Sequence, residues 1–147
     1  MSAPVNGVNE LVLEAKDLEA AERFYTEVLG FPVIERWEGP QWNGRNAVWV
    51  LAGWTRIGLW APQIGISRGR GGLHVHYAIH VDPADYAGIV ERVRAHGHTV
   101  DEVEFGGQAH SAYVTDPDGN VVEFWDWDAR DGSPGAPKAV TEGIYGL

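Results

Sequence analysis

The feature that most constrains this chain is an internal repeat of one strand, one helix and three strands. Residues 8–14 alternate as a strand, Asp17 is placed to N-cap a helix, and Leu18, Ala21, Tyr25 and Val28 recur at helical spacing before Gly30. Residues 31–37, 46–51 and 56–61 read as strands, the last two joined by a turn at 52–55, with a polar, Gly-containing loop over 38–45. The order then begins again. Residues 74–81 are strand-like, and Asp82-Pro83 opens a helix whose face is Tyr86, Ile89, Val90 and Val93, with a stop before Gly97. Residues 98–104 form the next strand, and 111–115 and 120–127 flank the turn Asp116-Pro117-Asp118-Gly119. Landmarks keep a near-constant offset: 66 residues from Glu10 to His76, 67 from Gly30 to Gly97 and 65 from Gly58 to Glu123. Such constancy predicts an α+β architecture of two tandem βαβββ modules, at about 8–61 and 73–128. Residues 62–72, with four Gly and two Arg, read as the linker between them, and 129–147 as a C-terminal tail able to dock on this chain or on a neighbour.

With 147 residues, 44% of them hydrophobic, both modules fit within one domain spanning 1–128. A net charge of −10 repels phosphate backbones and anionic bilayers, so neither nucleic acid nor membrane is an expected partner. The absence of Cys removes disulfides, thiolate zinc sites and Cys nucleophiles, leaving His and carboxylate as the available metal ligands. No run of 18 apolar residues occurs, and residues 1–9 lack the basic start and apolar core of a signal peptide, which predicts a soluble, cytoplasmic protein. No Gly-x-Ser-x-Gly elbow is present and Ser111 has no evident base, which argues against serine hydrolase chemistry.

Several segments over residues 8–128 resemble the vicinal-oxygen-chelate superfamily, which contains glyoxalase I, bleomycin-resistance proteins, fosfomycin-resistance enzymes and extradiol dioxygenases. They are Asn9-Glu10-Leu11-Val12-Leu13, Asp17-Leu18-Glu19-Ala20-Ala21, Phe24-Tyr25, Val28-Leu29-Gly30-Phe31, His76-Tyr77-Ala78-Ile79 and Asp116-Pro117-Asp118-Gly119-Asn120 through Glu123-Phe124. The resemblance implies two modules curling a mixed sheet around one cavity, commonly in a homodimer. It also implies four inward positions open to a divalent metal, here Glu10, Gly58, His76 and Glu123. Many relatives have His at the position of Glu10 and glyoxalases a carboxylate at that of Gly58, which has no donor here. Glu10, His76 and Glu123 remain as a three-ligand set for Mn, Fe, Zn, Ni or Mg, with the oxygen-rich donors favouring Mn, Mg or Fe over Zn.

Two functions follow from the resemblance. The first is a divalent-metal enzyme of lyase, isomerase or dioxygenase type acting on a small oxygen-chelating molecule. Glu10, His76 and Glu123 would be its ligands, with Glu123 and a second imidazole, His74, as its chemical groups. His74, His76, Ala78 and His80 alternate along one strand and so share a face. The second is a metal-free binding protein of the bleomycin-resistance type, needing no cofactor, that takes up a planar aromatic or cationic ligand. Trp60, on the face of Gly58, and Trp125, on that of Glu123, are its candidate stacking surfaces, with Trp42 as a loop lid and His110 a further contact. Trp37, Trp49 and Trp54 are expected to fill the core between sheet and helix instead. Arg68 and Arg70 are read as linker, and His96 and His98, flanking the helix stop, as structural.

Overall fold

A computed structural model of the protein describes residues 3–61 and 75–142. The chain divides into two compact units, Met1–Gly71 and Gly72–Leu147.

In the first unit β1 (Glu10–Glu14) leads into α1 (Leu18–Arg23), followed by β2 (Val33–Trp37), β3 (Ala47–Ala52) and β4 (Thr55–Trp60). The sheet order is β1-β4-β3-β2, with β1 parallel to β4 and the other pairs antiparallel. Asp17 caps α1 by accepting the Ala20 amide at 3.0 Å. After one and a half turns the helix widens into a π-helical turn over Phe24–Val28, closed by the Leu29 amide donating to the Phe24 carbonyl. Leu13, Val48, Val50, Ile57 and Leu59 form the apolar sheet face, and Ala21, Phe24, Tyr25 and Val28 are buried over it.

The second unit repeats this plan with β5 (His76–His80), α2 (Pro83–Ala95), β6 (Asp101–Phe105), β7 (Ala109–Thr115) and β8 (Val121–Trp125), and adds β9 (Pro137–Ala139). Its order is β5-β8-β7-β6-β9, with β5 parallel to β8. The duplication extends to register: Glu10 pairs Arg56 and Val12 pairs Gly58, as His76 pairs Val121 and Ala78 pairs Glu123. Pro83 opens α2 behind Asp82, whose backbone takes the N-cap conformation while its side chain makes no capping bond. Tyr86, Val90 and Val93 are the buried face of α2. At the β7–β8 turn Asp116 Oδ1 accepts the amides of Asp118 and Asn120, and Gly119 takes φ +85°. Among the described residues, no helix is long and apolar enough to cross a membrane.

Two expectations change, and the tail, expected to dock on this chain or on a neighbour, takes this chain. Trp54 is 96% exposed, because the β3–β4 turn through Gly53 (φ +60°) puts it at the hairpin tip instead of in the core. Trp37 and Trp49 pack, but on the sheet face away from the helix, since Val48 and Val50 of β3 already occupy the helix side. Part of the tail is a strand of its own chain: β9 pairs β6, and the Thr141 hydroxyl accepts the Glu102 amide at 2.8 Å.

Candidate functional site

On the helix-free face of the first sheet stand Glu10, Val12 and Glu14 of β1, Arg56, Gly58 and Trp60 of β4, Trp49 of β3 and Glu35 and Trp37 of β2. Four indoles meet there. Trp42, on a short turn over Pro40–Trp42, lies flat on Trp37 with centroids 4.6 Å apart and planes 8° from parallel. Trp37 also packs on Trp49 and Trp60, and Trp49 meets Trp60 edge to face at 6.0 Å. Gly58 makes this possible, because a Cβ there would come within 2.6 Å of Trp49 and 2.7 Å of Trp60. The space beside Gly58 is therefore filled by the protein's own indoles.

The charges of this face centre on Arg56. Its guanidinium sits 3.9 Å from the Trp49 ring centroid, donates to Glu35 and lies 3.5 Å from Glu10. The hydrogen bond from Arg56, and then that from Trp37, hold the Glu35 carboxyl below its usual range. Among the described residues, Glu14 Oε2, Trp49 Nε1, Trp60 Nε1 and Arg56 Nε are buried without a hydrogen-bond partner, all on this one face.

In the second unit His76, Ala78 and His80 of β5, Val121, Glu123 and Trp125 of β8, and Ser111 and Tyr113 of β7 share a face. Glu123, 7% exposed, holds His76 Nε2 at 2.8 Å through Oε1 and accepts the Ser111 hydroxyl on Oε2. The His76 ring meets Tyr113 edge to face. Trp125 packs against Phe105, its Nε1 buried and without a partner among the described residues. His110 lies on the opposite face, against Tyr86 of α2, with Nδ1 2.8 Å from Asp126 and its amide donating to the same carboxylate. It does not join Glu123 and Trp125. His74 lies outside the described residues, as do Arg68 and Arg70.

The four inward positions differ in their fitness for a metal. His76 Nε2 and Glu123 Oε1 are spaced like two donors at adjacent corners of one coordination sphere, with bonds of roughly 2.0–2.2 Å. Gly58 offers nothing, and Glu10 already faces a guanidinium that would repel a second cation. Among the described residues, no group of three or more His, Asp or Glu is placed to hold a metal ion. Ser111, Arg56 and Glu35 escaped the sequence analysis as site residues. Counting outward from the β7–β8 turn would have put Ser111 on the face of Glu123, whereas the pairing of Arg56 with Glu10 is a long-range contact with no local signal.

The family model for the Glyoxalase/Bleomycin resistance protein/Dioxygenase superfamily matches residues 7–124. The chain belongs to this superfamily. Within the superfamily, the glutathione transferase FosA of Serratia marcescens is 24% identical over 120 residues, covering 82% of this chain and 80% of its own length. The lactoylglutathione lyase of Agrobacterium tumefaciens superposes with a TM-score of 0.65 at 26% identity, over 84% of this chain and 96% of that one. TnmS3, an antibiotic binding protein from Streptomyces sp. CB03234, superposes with a TM-score of 0.66 at 21% identity, over 86% of this chain and all of that one. The superfamily's two mixed sheets with few helices are the architecture seen here.

Proposed function

We propose that this protein binds planar aromatic molecules, with the indole wall of the first unit as its recognition surface. The observation that carries this is the collection of unpartnered buried polar atoms on the same face as four packed indoles. A buried donor or acceptor left unmade costs about 1–3 kcal/mol, so several on one face favour a ligand that supplies their partners. Such a ligand is flat, to lie on the half-buried Trp37, Trp42 and Trp60, and carries acceptors for the indole N–H groups and a donor for Glu14. Gly58 serves this function by making room for the wall, and Arg56 by fixing Trp49 and Glu35. Antibiotic binding by TnmS3, a protein of the same fold, is in keeping with this function.

The test is quenching of indole fluorescence by a planar tricyclic probe, 9-aminoacridine, with an uncharged anthraquinone alongside. Trp60→Ala is expected to weaken binding by about 1–3 kcal/mol, the scale of losing a buried aromatic contact. Unchanged affinity would remove Trp60 from the site. A second function, divalent-metal catalysis, is favoured by the His76–Glu123 donor pair alone. Metal content by plasma mass spectrometry decides it: near-stoichiometric metal that is lost in Glu123→Ala would replace the binding function with the enzymatic one.

A further inference from the structure

Exposed apolar side chains of the first unit gather at one end of its sheet. Trp54, at the tip of the β3–β4 hairpin, stands in solvent, and with Val5, Val8, Val33 and Ile34 it makes up five of the seven large exposed apolar residues among the described ones. Strand directions bring them to the same end. β1 is parallel to β4, and the chain entering it runs beside the hairpin: the Thr55 hydroxyl donates to the Val8 carbonyl at 2.8 Å and the Arg56 amide to that of Asn9 at 2.9 Å. β2 is antiparallel to β3, so Val33 opens it opposite Val50, and the Leu51 amide donates to the Pro32 carbonyl at 3.0 Å. Scattered apolar residues on a surface are ordinary, whereas a group at one place marks an interaction surface.

The same end is free of charge. Residues 3–9, 28–34 and 46–55 hold no Asp, Glu, Lys or Arg, in a chain with 11 basic and 21 acidic residues among 147. The carboxylates that follow on β1 and β2, Glu10 and Glu35, both face the Arg56 guanidinium, which offsets part of their charge. This neutrality decides what can cover the surface. A strongly charged partner finds nothing there to pair with. A second copy of the chain brings the same net charge of −10 and is repelled where acidic surfaces meet, but not at this end. The area agrees. The five side chains expose roughly 600 Å² per copy, so a two-fold contact would remove roughly 1,200 Å² from water, the lower edge of what a specific interface buries.

We propose that this end docks a second copy of the chain, the two hairpin tips meeting about a two-fold axis in a weak dimer that forms reversibly in the micromolar range. The contact is apolar, so salt strengthens it by screening the repulsion between two acidic chains. Sedimentation velocity on the full chain, over about a hundredfold range of loading, is expected to show monomer passing into dimer as loading rises, at lower loading when salt is added. Trp54→Ser should weaken the association about tenfold or more, and Val8→Ser should weaken it in the same direction. Both side chains are exposed, so the two variants should melt as the dilute native chain does, which separates lost docking from lost folding. Val140→Ser, which removes an exposed apolar side chain from the second unit, should leave the association unchanged. A chain that stays monomeric throughout, or a dimer untouched by Trp54→Ser, would overturn the proposal. So would a dimer that salt loosens, because charged groups elsewhere would then hold it. A monomer that instead co-sediments with phosphatidylcholine vesicles, and fails to in Trp54→Ser, would assign this end to a lipid surface and overturn the proposal as well.

Discussion

Gly58→Ala tests the packing on which the indole wall rests. The new Cβ would stand 2.6 and 2.8 Å from two carbons of the Trp49 ring and 2.7 Å from Trp60 Nε1. Neither ring is a flexible chain end. Trp49 is 1% exposed and held between Trp37, Trp60 and the Arg56 guanidinium. Overpacking of this kind costs about 1–3 kcal/mol, and the rigidity of the rings puts this site in the upper half of that range. Against it stands the smaller entropy of an unfolded chain with Ala, about 0.4–1 kcal/mol, since the backbone at Gly58 does not require a positive φ. The net loss is about 1–2.5 kcal/mol, or a fall in Tm of about 2–10 °C for a chain of this length. The assay is thermal unfolding with near-ultraviolet circular dichroism, which reports the stacked indoles directly. Gly88→Ala is the control: it lies in α2 with no atom within 4 Å of the new Cβ, and should gain about 0.5–1 kcal/mol. Should Gly58→Ala unfold at the native temperature with an unchanged indole spectrum, the space beside Gly58 is open and the argument fails. The same crowding predicts that Gly58→Glu does not restore a fourth metal ligand.

Two further outcomes follow from the pairings. Ser111→Ala leaves a buried oxygen of Glu123 without its donor and should lower the urea unfolding midpoint by an amount equivalent to about 1–3 kcal/mol, and an unmoved midpoint would mean that Oε2 finds water instead. Glu22 is held below its ordinary value of 4.5, first by the hydrogen bond from Arg36. A depressed folded value makes this stabilisation complete above the unfolded value and lost as pH falls through the folded one. Unfolding midpoints should therefore drop between pH 6 and pH 3, less steeply in Arg36→Ala, and parallel slopes in the two proteins would exclude the pair as a source.

Much of the framework was legible because it is encoded over short distances. Asp17 caps its helix, Gly97 (φ +84°) follows the end of α2 and the Asp116–Asn120 turn sets a hairpin, each within a few residues. Four strand starts were read two or three residues early, at 8, 31, 74 and 98, because a strand begins where a ladder partner is available, and that partner lies far away in sequence. Alternation assigned Trp60 to the face of Gly58, and Trp125 to that of Glu123, from the two-residue period alone.

What the sequence by itself determined was the duplicated βαβββ order and the faces of Trp60 and Trp125, since both follow from local periodicity and turn chemistry. Only the tertiary structure decided what those side chains meet. Glu10 faces Arg56, some 46 residues away, and is partly neutralised by it. Glu123 is bound by Ser111 and His76 from two neighbouring strands. Trp49 turns from the helix to the indole wall, Trp54 stands in solvent, and β9 closes onto β6. Each outcome is a competition among residues distant in sequence for the same space or the same hydrogen bond, and local pattern carries no record of which competitor wins.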